Sequence, residues 1–349
     1  MTTLVVLQIG PASSVQDRGR FGAQRYGLTP SGAMDKLSLA AANSLVGNEL
    51  MAAAIEIGPF GATFMAKGGS VRVALAGASR PAEVAKRPIE INTSMTLADG
   101  ETLTLGFARG GSFSYLAIEG GINGEPMFNS LSVNARAGLG SPYPRPLQAS
   151  DLFEVHPASG APEMRLDLPK PNGAIRVVMG PQDDEFSDEM KALFLGSDWM
   201  VSATSDRMGY RLEGPALRHL HGHNIVSDGT VDGSIQVPGN GSPIVLMSDR
   251  GTSGGYPKIA TVITADFGRL AQTPPGTPFR FKAVTMTEAQ TELRRYKDLM
   301  RSLPGRVTEI ASNEFNTGAL FTANVAGHAV SATDVTTWPG VKPNQSDRI

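Results

Sequence analysis

The chain has 349 residues, of which 41% are hydrophobic and 18% are charged, so it is long enough for two ordinary domains and able to bury a core. Its 31 basic and 33 acidic residues nearly cancel, so overall charge favours neither nucleic acid nor an anionic membrane surface as a partner. Because cysteine is absent, disulfides, thiolate nucleophiles and cysteine-bound metals are excluded. No leader and no run of about 18 apolar residues is recognised, and a cytoplasmic location is expected.

Short runs of β-forming residues recur along the chain, separated by turns that contain glycine and proline. They predict a mainly β protein and lie at residues 4–7, 71–75, 102–105, 175–179 and 244–247. Few helices are expected. One is predicted over about 33–46, with Ser31 as its N-cap and Gly47 as its stop, and another over 286–302.

A proline-rich segment at residues 157–171 is the predicted linker and divides the chain near residue 165. Each side of it carries an element similar to Asp-Arg-x-Gly, beginning at Asp17 and at Asp206, a short and inexact match that suggests a distant internal duplication. The predicted organisation is therefore a first half at 1–160, a second half at 172–285, and a helix with an extended tail at 286–349.

The segment 235–272 has the layout of a functional site, because β-branched runs flank a polar loop with adjacent glycines. Asp249 is the preferred general base, since the neighbouring Arg250 would hold its carboxylate ionised. The ammonium of Lys258 could meet a phosphate, a carboxylate or a developing oxyanion, although an ordinary surface lysine is the alternative. Thr252 and Ser253 complete this polar loop.

A second polar turn lies near the N-terminus, where Asp17, Arg18 and Arg20 surround a glycine. The two guanidinium groups could hold a carboxylate or phosphate, or the aspartate and an arginine could simply fix the loop. Further along, Asp35 in the first turn of the predicted helix is given a structural role. Asn43 on that helix could face a substrate or satisfy a buried carbonyl group.

The histidines of the run His219-Leu-His-Gly-His223 alternate as metal ligands on a strand would. No matching carboxylate motif accompanies them, and short motif matches are often false, so no metal is predicted. The chain also lacks a G-x-x-x-x-G-K-[ST] phosphate loop. Any nucleotide would then be bound by another geometry or by another subunit.

The polar loop segment at 235–272 and the polar turn near the N-terminus, together with four other segments, resemble one family. It comprises the C subunits of 5-oxoprolinases, also described as the KipA or allophanate hydrolase subunit 2 family, and the resemblance covers roughly the first 285 residues. Relatives of this family include the carboxyltransferase part of biotin-dependent urea carboxylase. The matching segments are 16–22, 30–35, 43–48, 115–121, 180–186, 205–214 and 235–272. The resemblance implies two related β-barrel-like halves of cyclophilin-like type, with the site between or beside them. It implies no metal at the histidines.

The resemblance implies one subunit of an ATP-dependent 5-oxoprolinase that hydrolyses the lactam of 5-oxoproline to glutamate. ATP with Mg²⁺ would be used by a complex with the B and A subunits, which are KipI-like and lactam-utilising proteins, and no tightly bound cofactor is expected. Two alternatives stay open. One is the carboxyltransferase component of a biotin-dependent urea or amide carboxylase, and the other is a KipA-type regulator that binds a partner protein.

ATP-coupled opening of a lactam needs cations around developing phosphate charge and a carboxylate to manage a proton. The predicted catalytic residues are Asp17, Asp249 and Lys258. The predicted contacts to substrate or phosphate are Arg18, Arg20, Asn43, Arg207, Arg211, Arg250, Thr252 and Ser253. Where the family commonly has an arginine, this chain has Leu131, which removes one possible anion contact and leaves the substrate open.

Overall fold

The structure is a computed structural model that describes residues 1–169, 172–310 and 333. Strands predominate in this part of the chain, so the prediction of a mainly β fold is confirmed. All five predicted β runs lie on strands. The strands before residue 170 are β1 (Thr3–Ile9), β2 (Ser14–Gln16), β3 (Ala54–Ile57), β4 (Ala62–Lys67), β5 (Val71–Ser79), β6 (Ala82–Val84), β7 (Arg87–Pro88), β8 (Thr93–Leu97), β9 (Thr102–Leu105), β10 (Arg109–Ile118), β11 (Leu152–Glu154) and β12 (Met164–Arg165).

The second half contributes further short strands and most of the helices. The strands are β13 (Ile175–Met179), β14 (Trp199–Val201), β15 (Gly209–Glu213), β16 (Asp228–Gly229), β17 (Ser234–Gln236), β18 (Ile244–Leu246), β19 (Ser253–Gly254), β20 (Lys258–Val262), β21 (Pro278–Phe279), β22 (Phe281–Ala283) and β23 (Thr308–Glu309). The α-helices are α1 (Lys36–Leu45), α2 (Asp188–Gly196), α3 (Thr264–Ala271) and α4 (Met286–Ser302), and short 3₁₀ turns occur at Gln24–Tyr26, Ala135–Ala137, Asp183–Glu185 and Pro304–Arg306.

The first half is built from two sheets that enclose a core. Their strand orders are β11-β1-β4-β9-β6-β7 and β2-β3-β10-β5-β8-β12-β23. On β1 and β4 buried residues alternate with more exposed ones, the pattern of strands with one face on a core. Side chains from both sheets meet there, among them Leu4, Phe64, Leu75 and Leu116.

The second half is a barrel-like sheet that nearly closes on itself. Its strand order is β21-β14-β15-β18-β17-β20-β13-β22. The two end strands, β21 and β22, are separated in the chain by Arg280 alone. Bringing the ends of the sheet together in this way limits the exposed edges, which barrels abolish when they close fully. The site loop predicted between residues 247 and 258 connects β18 to β20.

A second core joins the two halves. It includes Leu39 and Ala40 of α1, and it continues through Trp199, Val245 and Phe267 of the second half. Residues Met1–Glu309 form one compact unit. The division at residues 160 and 172 stays a prediction about domains. One sheet of the first half also takes in β12, from the predicted linker, and β23, which follows α4. The residues of the predicted tail after 310, apart from Thr333, lie outside the described part of the chain.

The helix predicted at 33–46 is shorter than expected, and its cap is a different residue. The helix α1 begins at Lys36, and Asp35 is its N-cap, with Oδ1 accepting from the amides of Leu37 at 3.1 Å and Ser38 at 3.2 Å. The prediction that Ser31 is the cap is therefore wrong. Ser31 has a left-handed backbone with φ of 53°, and its hydroxyl contacts the side chain of Asn134 instead.

The second predicted helix is confirmed. The helix α4 spans Met286–Ser302, and Thr285 with Glu288 forms a capping box at its start. Across the described ranges, none of the helices has both the length and the apolar character that crossing a membrane requires.

Candidate functional site at the junction of the two halves

The polar turn near the N-terminus depends on two glycines that lie back to back. Gly19 has φ of 95° and Gly32 has φ of 92°, backbone conformations that favour glycine. A Cβ on Gly32 would lie 2.8 Å from the amide nitrogen of Gly19, and one on Gly19 would lie 2.8 Å from the carbonyl oxygen of Ser31. The turn therefore folds tightly onto the segment that leads into α1.

Asp17 fixes a neighbouring loop to this turn. Its Oδ1 accepts from the amide of Gly19 at 2.8 Å and from the hydroxyls of Ser130 at 2.7 Å and Ser132 at 2.5 Å. Its Oδ2 accepts from the amide of Leu131 at 2.7 Å. Both carboxylate oxygens thus have donors from the protein itself. This arrangement gives Asp17 the loop-fixing role that the sequence left open as an alternative.

Arg20 is fully buried, and part of its guanidinium group is unpaired among the described residues. Its Nη2 donates to the carbonyl oxygen of Ser132, whereas Nε and Nη1 have no hydrogen-bond partner within the described ranges. Burial lowers the pKa of Arg20, against the opposing effect of Asp17 and Asp249. An arginine that keeps unpaired N–H groups away from water is well suited to a carboxylate or phosphate oxygen.

Arg207 connects the two halves through charged contacts. Its Nη1 lies 2.5 Å from Oε1 of Glu56, and its Nη2 donates to the carbonyl oxygen of Gly32 at 2.9 Å. On the other side, Nε and Nη2 hold the carboxylate of Asp249 in bidentate fashion at 2.9 and 3.1 Å. Burial lowers the pKa of Arg207, but Asp249 and Glu56 outweigh it, so the net shift is upward. The predicted base Asp249 is therefore aligned by an arginine that is anchored in the first half.

Glu56 is the buried anchor of that arginine. Its Oε2 accepts from the amide of Met34 at 2.8 Å and from the hydroxyl of Tyr115 at 2.7 Å. The same hydroxyl accepts from the amide of Asp35 at 2.7 Å, so the network extends to the start of α1. Burial raises the pKa of Glu56, although Arg207 and these hydrogen bonds oppose the shift. The whole network depends on one buried carboxylate.

A second group of charges surrounds Arg250. Its Nη1 pairs with Asp232, and its Nη2 donates to the carbonyl oxygen of Thr230 at 3.4 Å. Burial lowers the pKa of Arg250 and raises the pKa of Asp232. Burial lowers the pKa of Lys36 of α1, which is half-buried. Asp232 and Asp17 are close enough to oppose that shift, and Arg250 adds to it. The ammonium of Lys36 lies 5.3 Å from the ring centroid of Phe21, a cation–π contact.

The two polar segments singled out in the sequence meet at this junction. Gln24, in the turn after Arg20, donates to the carbonyl oxygens of Thr230 at 3.0 Å and Thr252 at 3.2 Å. Asp249 acts on the pKa of Arg20 across the same boundary. Segments more than 200 residues apart in sequence thus form one surface.

Lys258 lies in a different cluster. It is buried, and its Nζ pairs at 3.0 Å with Asp228 rather than with Asp249. The pKa of Asp228 is lowered, chiefly by its hydrogen bond with the Lys258 side chain and next by its hydrogen bond with the amide of Gly229. The four remaining predicted contacts are placed differently again. Asn43 is buried, and its amide donates to the carbonyl oxygen of Ala52 at 2.8 Å, whereas the others are exposed: Arg18, Arg211 and Ser253.

The histidine run has local protein contacts. His219 packs on Phe186 with ring centroids 5.1 Å apart, and its Nε2 lies 2.9 Å from the carbonyl oxygen of Val237. His221 is exposed and lies 3.3 Å from Glu185. Among the side chains that the structure describes, no group of three or more His, Cys, Asp or Glu is placed to hold a metal ion.

For the multi-subunit enzyme that the sequence predicts, replacing all three histidines, His219, His221 and His223, with glutamine is expected to leave turnover within a few-fold of the unmodified protein. Glutamine keeps a donor for the contact between residue 219 and the carbonyl oxygen of Val237. Surface substitutions away from buried or strained features usually change stability little. Steady-state assays and metal analysis of the purified protein check this. Stoichiometric zinc that disappears together with activity would contradict it.

Sequence reasoning missed Glu56, Tyr115, Gln24 and Lys36. One signal for Glu56 was present, because it is the only charged residue in the apolar run 52–57. A carboxylate within a buried strand requires a partner, so that pattern indicates an ionic network. The contacts of the other three come from segments that are distant in the chain. Tyr115 contacts Glu56 and Asp35 within the first half, whereas Gln24 contacts Thr230 of the second half.

The fold is that of a carboxyltransferase-type domain. The crystal structure of the urea amidolyase from K. lactis is similar over 86% of this chain, with a TM-score of 0.80 and 27% sequence identity. The chain spans only 20% of that longer protein. The chain belongs to the family described as carboxyltransferase domain, subdomain A and B, whose family model matches residues 26–283.

Two curated relatives are similar over nearly their whole length. The C subunit of the 5-oxoprolinase of Escherichia coli (strain K12) is 36% identical over 291 residues, which are 82% of this chain and 93% of the relative. The C subunit of the Haemophilus influenzae 5-oxoprolinase is 34% identical over 298 residues, which are 84% of this chain and 95% of the relative. The family resemblance found in the sequence is thereby confirmed.

Proposed function

We propose that this chain is the C subunit of an ATP-dependent 5-oxoprolinase, which opens the lactam of 5-oxoproline to glutamate. The observation that carries the proposal is the likeness to the C subunits of two 5-oxoprolinases, which extends over 93% and 95% of those proteins. Relatives of this kind are parts of a multi-subunit enzyme. The proposal further assigns the B and A subunits as partners, and ATP with Mg²⁺ as a co-substrate of the complex.

The junction supplies the chemistry that this reaction needs. An unstrained lactam is a poor electrophile, and coupling to ATP implies that its carbonyl oxygen is phosphorylated, with negative charge developing at that point. The free N–H groups of Arg20 are donors for that charge, and burial strengthens their effect because the local dielectric is low. Asp249 would accept the proton of the attacking water, while Arg207 keeps its carboxylate in place.

We expect a stable complex between this chain and a 5-oxoprolinase B subunit encoded beside it. An interface of about 1,600 Å² is usual for a specific complex, and such a complex survives chromatography. Co-expression followed by size-exclusion chromatography tests the association. Separate elution of the two proteins at micromolar concentration would count against this partner.

The activity itself is tested with the complete set of subunits. Glutamate formation and phosphate release are measured with 5-oxoproline and ATP, and each component is omitted in turn. We expect equal amounts of glutamate and phosphate, and loss of both when this chain is omitted. Phosphate release that is indifferent to 5-oxoproline would argue against the proposal.

A second candidate is carboxyl transfer to urea or a related amide, and the likeness to the K. lactis urea amidolyase favours it. That reaction needs a biotin carboxylase and a biotin carrier, which this chain would have to obtain from partners. The two candidates differ in a measurable requirement, because only carboxyl transfer depends on bicarbonate and biotin. Urea-dependent ATP consumption that avidin abolishes would support the second candidate. Partner binding without any turnover would instead support a regulator.

A further inference from the structure

A second polar cluster lies inside the second half, away from the contacts of Arg207. We name it the glutamine–lysine cluster, and its members are Gln182, Asp228, Gln236 and Lys258. Gln236 of β17 and Lys258 of β20 are direct partners in the antiparallel ladder. Side chains of such partners project from the same face of a sheet. Both are more than nine-tenths buried, at 7% and 2% exposure.

This cluster contains hydrogen-bond donors that the protein does not use. Within residues 1–169 and 172–310, Nε2 of Gln236 has no hydrogen-bond partner. The ammonium of Lys258 has three N–H donors, and its contact in the same part of the chain is the ion pair with Asp228. Buried donors without partners are uncommon in native proteins, and each calls for an explanation such as strain, a bound water or ion, or a functional role.

Two glycines allow the backbone to approach this cluster closely, one at the amide of Gln236 and one at the main chain of Lys258. A Cβ on Gly254 of β19 would lie 2.2 Å from Nε2 of Gln236, and a Cβ on Gly180 would lie 2.0 Å from the carbonyl oxygen of Lys258. Any other residue would force the backbone or the glutamine to move. The close approach of Gly254 leaves the amide of Gln236 enclosed but without a partner.

An acceptor stands beside the unused donors. The amide of Lys258 donates to Oε1 of Gln182 at 3.2 Å, and Nε2 of Gln182 donates to Oδ2 of Asp228 at 3.5 Å. Asp228 is half exposed, so its carboxylate faces solvent as well as the cluster. Two donors and one carboxylate match a neutral amide, which presents one acceptor oxygen and one N–H group. A carboxylate ligand fits less well, because Asp228 would repel it.

We propose that the glutamine–lysine cluster recognises the amide group of the substrate. The amide oxygen accepts from Gln236 and Lys258, and the amide N–H donates to Asp228. This assignment rests on the proposed function, since it makes the lactam of 5-oxoproline the ligand.

The test measures binding without turnover. The purified complex is titrated in a calorimeter with 2-pyrrolidinone, a lactam without a carboxylate, in the absence of ATP. Gln236→Met keeps the side-chain volume and removes the donor, so binding is expected to weaken at least about tenfold, as when a hydrogen-bonding partner is lost from a specific site. Gln290→Met, on the exposed face of α4, is the matched control.

A second probe isolates Asp228. N-methyl-2-pyrrolidinone lacks the amide hydrogen and is expected to bind about tenfold more weakly than 2-pyrrolidinone. In Asp228→Ala that difference should vanish. If Gln236→Met does not fold, Gln236→Glu replaces it, because the glutamate keeps the shape and turns the donor into an acceptor.

The outcomes separate the two proposals. Gln236-dependent binding in a complex with no 5-oxoprolinase activity would support amide recognition and remove the proposed function. A folded Gln236→Met variant that binds 2-pyrrolidinone as tightly as the unmodified complex would overturn the assignment, as would a failure of the unmodified complex to bind the probe.

Discussion

Replacing Arg207 with methionine is expected to lower the free energy of unfolding by about 3–5 kcal/mol, the usual cost of removing one partner from a buried ion pair. Arg207 is the cation that faces Glu56, whose carboxylate is fully buried at the junction. Without it, the donors left to the charge of Glu56 among the described residues are two neutral groups, the amide of Met34 and the hydroxyl of Tyr115. Urea unfolding of the full chain, followed by circular dichroism, measures the loss.

A second substitution and a pH series show whether the uncompensated charge is the cause. Adding Glu56→Gln to Arg207→Met removes that charge, so most of the lost stability should return. Burial already raises the pKa of Glu56, and removing Arg207 raises it further, so the folded variant binds a proton more readily than the unfolded chain. Its stability therefore falls as pH rises between the unfolded and folded pKa values. A deficit equal at pH 5 and pH 8, or unchanged in the double variant, would refute this account.

Replacing Arg20 with methionine is expected to reduce turnover of the assembled enzyme by about 100-fold or more, as the loss of one charge-stabilising donor commonly does. Stability should change little. Within the described part of the chain, the guanidinium contributes only one hydrogen bond, to Ser132, and burial of its charge is unfavourable in the unliganded protein. A methionine of similar length fills the space without that cost.

The matched control is Arg109→Met, since Arg109 is exposed at the start of β10. Its turnover and melting temperature should equal those of the unmodified protein. Turnover and thermal unfolding are measured on the same preparations. Should Arg20→Met lose activity only in proportion to the protein that unfolds, Arg20 would be a structural residue and the anion site would lie elsewhere. Lys258→Met is expected to reduce turnover comparably, but through the glutamine–lysine cluster.

Local sequence predicted the strands because alternation and β-branched runs act over a few residues. The run 175–179 is β13, and the helix 286–302 matches α4 to the residue. The cap of α1 was mispredicted for a physical reason. Ser31 and Asp35 are both good caps in isolation, but the tight approach of Gly19 and Gly32 holds Ser31 in a left-handed conformation that a cap does not adopt.

Site residues were harder to predict than elements, because a side chain's partners come from distant parts of the chain. The sequence pointed correctly to the two polar segments, and the structure brings them together through Gln24 and Arg207. It could not show that Lys258 pairs with Asp228, since that choice depends on the hairpin of β16 and β19. Nor could it show that the side-chain amide of Asn43 donates to the carbonyl oxygen of Ala52.

The sequence by itself determined the family, the mainly β class, the position of several strands and the two segments that carry charged and glycine residues. These properties follow from short-range patterns and from long motif matches. Only the tertiary structure decided which charges are compensated and which are left with free donors. Asp17 has its oxygens filled by the protein, whereas Arg20 has two nitrogens without a partner among the described residues. That difference arises from burial and from contacts with the distant loop at Ser130 and Ser132, which no local pattern encodes.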